Sequence, residues 1–219
     1  MFFDINGVSL AYHATPKCGC TSVKAMILES LGESVEGGED EVILEIHKSI
    51  GSPPFKKFKA DFRFCVVRDP VQRFVSGYSN RVLHFGDIPE VGFDEFVENF
   101  SHYYRTYPRI KHHFLPQVFF IGKRPEYFTN IFWINEMEEI RDFLSTISKR
   151  EIILGPRQSG GSDRKPIPTE GQIQFILDFY KQDLKFLEKM DRLSSGGLSV
   201  EKGMVGRFLD QIWSRKGGQ

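Results

Sequence analysis

The feature that most constrains this fold is a short apolar strand that breaks at a proline and continues as a helix. The apolar run over residues 8–13 predicts the strand, and a stripe of apolar residues at helical spacing predicts a helix over residues 21–31. The loop between them reads Pro-Lys-Cys-Gly-Cys-Thr-Ser, from Pro16 to Ser22. Backbone N–H groups at a helix N-terminus have no intrahelical partners, and the helix dipole adds partial positive charge there. The sequence therefore predicts an anion-binding loop.

The order of residues in this loop argues against a nucleoside triphosphate as its ligand. The G-x-x-x-x-G-K-[ST] pattern of the Walker loop is absent, because Lys17 precedes Gly19. We expect the amides of residues 18–22 to face the anion, with Gly19 allowing close backbone approach. The hydroxyls of Thr21 and Ser22 can bind the same anion or serve only as caps of the helix.

A second strand followed by a helix carries another charged motif. Residues 62–67 form an apolar run that is typical of a strand buried on both faces, as in a parallel sheet. Arg68 follows at the carboxyl end of this strand, where open α/β sheets bind ligands, and its planar guanidinium can grip a phosphate. Asp69 and Pro70 are a good N-cap and first residue for a helix that we expect to end near residue 83.

Together, the two motifs resemble the nucleotide-binding elements of the sulfotransferases that use 3′-phosphoadenosine 5′-phosphosulfate, most closely the carbohydrate sulfotransferase branch. In that family the first loop holds the 5′-phosphosulfate. The arginine and serine of an R-[DE]-P-x-x-R-x-x-S-x-Y signature hold the 3′-phosphate. All fixed positions of this signature are present, namely Arg68, Asp69, Pro70, Arg73, Ser76 and Tyr78.

The resemblance implies roles for individual residues. Those expected to contact the nucleotide are Pro16, Lys17, Cys18, Gly19, Cys20, Thr21, Ser22, Arg68 and Ser76. Lys17 would stabilise the charge that builds on the leaving oxygen. Arg73 could instead be a solvated helix residue or the partner of an acidic neighbour. Arg164 and Lys165, in a Gly- and Ser-rich loop, could close over the nucleotide as a lid or simply be exposed.

An acceptor hydroxyl must lose its proton, and a histidine is the usual base near neutral pH. We favour His47, which lies 21 residues before Arg68, because this spacing resembles that of the histidine base in the uronosyl 2-O-sulfotransferases. His113 is the second candidate, since residues 113–117 resemble an H-x-x-P-Q element of bacterial members. The remaining candidates are His112, His13 and the carboxylates Glu41 and Glu45, of which His13 is expected to be packed in its strand.

The rest of the chain continues the alternation of strands and helices. A third strand is predicted over residues 130–134, a helix over 136–148 and a long helix over 169–190, whereas residues 101–117 look irregular. We therefore predict an α/β fold, a P-loop-like three-layer sandwich with a central, mostly parallel sheet flanked by helices. A single domain over residues 1–219 would hold the cofactor elements within 8–84, acceptor-side loops at 85–117, and a closing loop and helices at 155–214.

Composition limits the partners. Basic and acidic residues number 29 each, so no net charge favours nucleic acid, and no apolar run approaches the roughly 20 residues of a membrane span. The N-terminus resembles no leader, and three sparse cysteines fit a reducing compartment, so we expect a cytoplasmic protein. Cys18 or Cys20 could be oxidation-prone, because a helix N-terminus lowers the pKa of a thiol. Neither cysteine fits the spacing of a zinc site or of a cysteine phosphatase, and we expect no metal. A terminal helix over residues 200–213 could support a homodimer.

These patterns predict a sulfotransferase that moves a sulfuryl group from 3′-phosphoadenosine 5′-phosphosulfate to a hydroxyl of a carbohydrate or glycolipid. The product nucleotide would be adenosine 3′,5′-bisphosphate. Two other hypotheses remain open at this point. A nucleotide or sugar kinase with an atypical phosphate loop would need Mg²⁺ and a triphosphate, and a non-catalytic module would bind the nucleotide without turnover.

Overall fold

A four-stranded sheet forms the centre of the protein. The computed structural model describes residues 1–33, 59–153 and 165–195. Its strands are β1 (Phe2–Ile5), β2 (Val8–His13), β3 (Phe62–Val67) and β4 (Asn130–Trp133), in the spatial order β1-β2-β3-β4. The pairings β2–β3 and β3–β4 are parallel, whereas β1 runs antiparallel to β2. The predicted, mostly parallel sheet is confirmed, and β1 is an addition that the sequence analysis did not anticipate.

The α-helices of the described ranges connect and cover these strands. They are α1 (Cys20–Leu31), α2 (Pro70–Tyr78), α3 (Phe93–Glu98), α4 (Phe100–Thr106), α5 (Pro108–Phe114), α6 (Gln117–Ile121), α7 (Met137–Ser148), α8 (Glu170–Phe179) and α9 (Lys181–Ser195). A π-helix, Ser79–His84, continues α2, and a 3₁₀ turn, Pro125–Tyr127, precedes β4.

The sheet is covered on both faces, as the apolar sequence of β3 predicts. Phe64 and Val66 pack into one cluster with residues of α1 and α7. Cys65 and Val67 point the other way, because successive strand residues alternate between faces, and they pack with residues of α6 and α9. Helices therefore flank the central sheet on each side, which confirms the three-layer α/β architecture.

The segment between the π-helix and β4 is more helical than the sequence indicated. Residues 101–117, expected to be irregular, lie mostly in α4, α5 and the start of α6. Pro108 begins α5, and Pro116 immediately precedes α6. Prolines at these boundaries divide the segment into short helices that end before a helical period can be recognised. Its aromatic rings pack on one another and on α2: the Phe114 ring lies 5.4 Å from Phe100 and 4.9 Å from Phe74 of α2, between ring centroids.

The predicted starts of α2 and α8 are confirmed. Asp69 caps α2 by accepting a hydrogen bond from the Gln72 amide at 2.8 Å, and Thr169 with Gln172 forms a capping box at the start of α8. The single helix expected over residues 169–190 is instead two, because it breaks at Tyr180. The Tyr180 side chain is buried, and its hydroxyl donates to the carbonyl of Phe114 at 2.9 Å. A tertiary contact therefore accompanies this break.

Some predictions concern residues outside the described ranges. The stretch around His47, most of the proposed lid with Arg164, and the terminal helix over residues 200–213 belong to this group. Within the residues that are described, no helix is long and apolar enough to cross a membrane.

Candidate functional site

The predicted phosphate loop is a tight turn followed by the bare N-terminus of α1. The Cys18 amide donates to the Thr15 carbonyl at 3.2 Å, closing a four-residue turn in which Pro16 and Lys17 are the central residues. Lys17 has a φ of 68° and Gly19 a φ of 70°, so the backbone twice enters the left-handed region. No side chain caps α1, and the N–H groups of its first turn have no intrahelical partners.

This geometry changes two of the expectations for the loop. Thr21 and Ser22 lie within α1, whose N-cap is Gly19, so neither hydroxyl caps the helix. The Cys18 amide is used inside the turn, and the Cys18 thiol donates to Gln117 at 3.3 Å. Cys18 therefore helps to hold the loop together, and its contact with a nucleotide stays a prediction.

Gly19 is required by its backbone and by its surroundings. A side chain is strained at its φ of 70°. A Cβ atom at this position would also overlap the terminal methyl group of Met137, at the start of α7. The absence of a side chain at Gly19 thus lets the Met137 side chain pack closely against the loop.

Arg68 connects the two predicted motifs. Its Nη1 donates to the carbonyl of Lys17 at 3.1 Å, which places the guanidinium against the phosphate loop. Its Nε is buried and has no hydrogen-bond partner among the described residues. A buried donor without a partner costs about 1–3 kcal/mol, so this atom is suited to an incoming acceptor group. Ser76, the other predicted 3′-phosphate contact, is half-buried on α2.

Arg73, the second arginine of the same signature, is part of the protein interior. It is 1% exposed. Its Nε donates to the Pro16 carbonyl at 3.0 Å, its Nη2 donates to the His113 carbonyl at 3.2 Å, and its guanidinium lies 5.5 Å from the centre of the Tyr180 ring. The reading of Arg73 as a solvated helix residue is therefore wrong. Its hydrogen bonds go to backbone carbonyls, and it also interacts electrostatically with the acidic residue Asp183.

Gln117 is a central residue of this region to which the sequence analysis gave no role. Its side chain, 1% exposed, accepts hydrogen bonds from the Arg68 amide at 3.0 Å and from the Cys18 thiol at 3.3 Å. Its Nε2 donates to the Arg68 carbonyl at 2.9 Å. The only sequence signal for this role was its place at the end of the H-x-x-P-Q segment.

His113 lies at the end of α5, in the electrostatic neighbourhood of Lys17. Burial, together with the positive charges of Arg81, His112 and Lys17, lowers the pKa of His113 to about 3, against an opposing effect of Asp87. Its Nδ1 is buried without a hydrogen-bond partner in the part of the chain that the structure describes. The structure therefore brings this predicted base and Lys17 into one region.

A family comparison agrees with this arrangement. The model of a family described as the sulfotransferase family matches residues 2–189. The chain belongs to the sulfotransferase family. The match includes the phosphate loop, the Arg68 motif and the segment from His113 to Gln117. No curated protein and no solved structure matches significantly. Membership supports sulfotransfer as the general activity, and typical members use 3′-phosphoadenosine 5′-phosphosulfate.

The other candidate bases of this sulfotransferase-family chain differ in their surroundings. His13 packs edge-on against Tyr127 and Phe128, at 5.4 and 5.2 Å between ring centroids, as expected for a packed strand residue. Burial lowers the pKa of His13 to about 4. His112 is exposed, and His47 and the carboxylates Glu41 and Glu45 lie outside the described residues.

The cysteines of the loop are not alike. Cys18 is fully buried, and burial raises the pKa of its thiol to about 12, so the prediction that it is oxidation-prone is wrong. Cys20 is half-buried at the start of α1. In residues 1–33, 59–153 and 165–195, no three His, Cys, Asp or Glu residues are grouped as they would be around a metal ion.

Proposed function

We propose that this protein transfers a sulfuryl group from 3′-phosphoadenosine 5′-phosphosulfate to a hydroxyl group of a carbohydrate or glycolipid. The observation that carries this proposal is the contact between Arg68 and the phosphate loop at Lys17. This contact joins two elements suited to anions, one at a helix N-terminus and one at the carboxyl edge of a parallel sheet. A nucleotide with phosphate groups at both its 5′ and 3′ positions can use both elements together.

Unpartnered buried atoms around the loop fit such a ligand. Besides Arg68 Nε, the Thr15 hydroxyl, Arg73 Nη1 and His113 Nδ1 are buried without hydrogen-bond partners in the described ranges. We propose that Lys17 and the first turn of α1 hold the 5′ end of the nucleotide, and that Arg68 and Ser76 hold the 3′-phosphate. Arg68 suits this role because its planar guanidinium can form two parallel hydrogen bonds to one phosphate.

Lys17 is the residue we propose to act on the leaving group. The nucleotide supplies an activated sulfuryl group, so the protein has to orient it and stabilise the charge that develops on departure. Lys17 lies in a hydrogen-bonded turn and has a φ of 68°. The turn therefore fixes the backbone from which the Lys17 side chain extends. An ammonium group held at this place stabilises the charge on the leaving oxygen as transfer proceeds.

A histidine would accept the proton of the acceptor hydroxyl, and His47 and His113 are the two candidates. His113 is neutral at pH 7, since its pKa is lowered to about 3, but such a pKa makes it a weak base. One of the cationic neighbours that lower this pKa, Lys17, is also expected to bind the anionic nucleotide. Bound negative charge would partly offset them and raise the pKa of His113 towards the useful range.

The acceptor would lie towards the segment from α3 to α5. The rings of Tyr103 and Tyr104 are half-buried and contact Phe96 and Phe100, in both cases at 5.5 Å between centroids. These tyrosines therefore contribute to packing. Exposed basic side chains in the same segment are Arg105, Arg109 and Lys111. We propose that this surface meets the acceptor, while the cytoplasmic location and the homodimer stay predictions from the sequence.

Nucleotide binding and turnover test the proposal. We expect adenosine 3′,5′-bisphosphate to bind in the presence of EDTA, as measured by calorimetry, and labelled sulfate to pass from the donor to a hydroxyl acceptor. Lys17→Ala should reduce turnover by at least about 100-fold with little change in thermal stability. The matched control is Lys181→Ala, an exposed lysine at the start of α9, which should retain turnover.

The same experiments separate the alternatives. Binding of ATP only with Mg²⁺ would support a kinase and contradict the proposal, whereas nucleotide binding without transfer to any tested acceptor would point to a binding module. Turnover of His47→Ala and His113→Ala identifies the base, because only loss of the true base should remove the pH dependence that a histidine confers.

A further inference from the structure

We propose that Gln117 is a positioning residue that fixes Arg68 for recognition of the 3′-phosphate. This inference rests on the proposed function, because it names the residue that sets the specificity of the same nucleotide site. Gln117 lies 49 positions after Arg68 in the sequence, yet its side-chain amide pairs with both the N–H and the C=O of that one residue.

The position of Arg68 explains why it needs this partner. Parallel pairing of β3 with β4 ends at Val67, whose carbonyl accepts a hydrogen bond from the Ile134 amide at 2.9 Å. Arg68 is the next residue. Its N–H donates to Gln117 Oε1 at 3.0 Å, and its carbonyl accepts from Gln117 Nε2 at 2.9 Å. A primary amide has one acceptor and one donor group, so it can mimic a further backbone pairing. The path of the chain at Arg68 therefore depends on Gln117.

The same side chain also contacts the phosphate loop. The oxygen that accepts from the Arg68 amide also accepts from the Cys18 thiol, at 3.3 Å. At the preceding residue of the loop, the Arg68 guanidinium donates to the Lys17 carbonyl at 3.1 Å. Gln117 and the Arg68 side chain thus form two separate links between the end of β3 and this loop. Gln117 makes no hydrogen bond to the guanidinium nitrogens of Arg68. Its loss would nevertheless leave the guanidinium less precisely oriented, because Gln117 holds the Arg68 backbone.

Gln117 is itself held by α9, which packs with α6 on the same face of the sheet. Its backbone amide and that of Val118 donate to the two carboxylate oxygens of Asp183, at 2.8 and 3.0 Å. Asp183 is on α9 and is 1% exposed. Pro116 directly precedes Gln117 and restricts the backbone there. The backbone that carries the Gln117 side-chain amide is therefore fixed before any ligand binds, as expected of a residue that positions another.

The test compares two nucleotides that differ only in the 3′-phosphate. Dissociation constants for adenosine 3′,5′-bisphosphate and adenosine 5′-monophosphate are measured by calorimetry in wild type and in Gln117→Met, a neutral substitution of similar volume. Their ratio reports the contribution of the 3′-phosphate. We expect Gln117→Met to reduce this ratio about tenfold, because unpaired peptide groups let Arg68 shift. Affinity for the monophosphate should change by less than about twofold, since that ligand lacks the group that Arg68 would bind.

A double-mutant cycle separates positioning from a general loss of structure. In an Arg68→Ala background, Gln117→Met should have no further effect on the ratio, because the group through which it acts is gone. Leu144→Ala, a fully buried position of α7 in the core cluster on the other face of β3, is the control for lowered stability. It should lower the melting temperature and leave the ratio unchanged. If Gln117→Met does not fold, Gln117→Asn, whose shorter amide cannot reach both peptide groups, is measured in the same way.

The outcomes for the two proposals are distinct. If wild type does not bind the bisphosphate, the proposed function fails. If wild type prefers the bisphosphate and the Gln117 variant keeps the wild-type ratio, the positioning role is overturned while the proposed function stands. Equal weakening of both nucleotides, or the same effect with and without Arg68, would also overturn it and assign Gln117 a structural role only.

Discussion

Replacing Arg73 with lysine should destabilise the fold, although the substitution keeps the positive charge. The Arg73 guanidinium donates through Nε to Pro16 and through Nη2 to His113, at 3.0 and 3.2 Å. These carbonyls belong to different segments, the phosphate loop and the end of α5. A lysine has a single ammonium group on a flexible stem, so it cannot reproduce the fixed fork that reaches both.

The magnitude follows from the bonds that are lost. A hydrogen bond from a charged donor contributes about 1.5–3 kcal/mol, and an unpaired buried carbonyl costs about 1 kcal/mol or more. Lysine can keep one of the two bonds, so Arg73→Lys should lose one bond and leave one carbonyl unpaired. The expected decrease in the free energy of unfolding is about 3 kcal/mol. For a chain of this size, that corresponds to a decrease in Tm of about 6–12 °C.

Arg68→Lys is the matched control, because it makes the same change in the same signature. Arg68 is partly exposed, and one hydrogen bond of its guanidinium is present, to the Lys17 carbonyl. We expect Arg68→Lys to cost about 1 kcal/mol or less, and to weaken binding of adenosine 3′,5′-bisphosphate about tenfold. Urea unfolding gives the free energies, and calorimetry gives the nucleotide affinities.

The experiment can refute the expected difference between the two arginines, in which Arg73 stabilises the fold and Arg68 binds the nucleotide. If Arg73→Lys unfolds within about 1 kcal/mol of wild type, the two carbonyl contacts do not stabilise the fold as argued. If Arg68→Lys is the more destabilising change, the division between an interior arginine and a ligand-directed one is wrong. Equal effects on nucleotide affinity in both variants would likewise contradict it.

Three further predictions concern the loop and His113. Gly19→Ala should lower stability only slightly more than Gly7→Ala, by less than about 1 kcal/mol in urea unfolding, because both glycines have positive φ and the added methyl group at Gly19 would displace only the flexible end of the Met137 side chain. The pKa of His113 is lowered to about 3 in the folded state, whereas it is about 6.5 in the unfolded chain, so the unfolded state takes up a proton first as the pH falls below about 6.5 and the fold loses stability. Between about pH 7 and 5, the free energy of unfolding of His113→Gln should therefore decrease by about 1 kcal/mol less than that of wild type. In mass spectrometry after brief treatment with iodoacetamide, the native protein should be modified at Cys20 and not at the fully buried Cys18.

Local patterns predicted the elements on which the site is built. The apolar run of β3 and the Asp69-Pro70 start of α2 were recognisable because strand burial and helix capping depend on a few adjacent residues. The same is true of β2, whose observed bounds agree with the predicted ones. The break at Tyr180 was not predictable in this way, because it accompanies a contact with Phe114, 66 residues away in the sequence.

The roles of individual site residues divide along the same line. The signature contains both Arg68 and Arg73, and the sequence analysis assigned only Arg68 to the nucleotide. The structure shows what the sequence left open, that Arg73 is enclosed by two carbonyls and the Tyr180 ring. The cysteine pattern suggested a reactive Cys18 at a helix N-terminus. Its burial decided otherwise, because desolvation of the thiolate outweighs the favourable effect of the positive charges nearby.

The sequence by itself determined that a strand–loop–helix unit and an arginine at a strand end belong to one α/β fold, since both depend on short-range patterns of apolarity and capping. Only the tertiary structure decided what holds them together. Gln117 bonds to Arg68 and Cys18, which are 49 and 99 positions away along the chain. No local pattern encodes contacts of that separation, because they form only when the layers of the fold have packed.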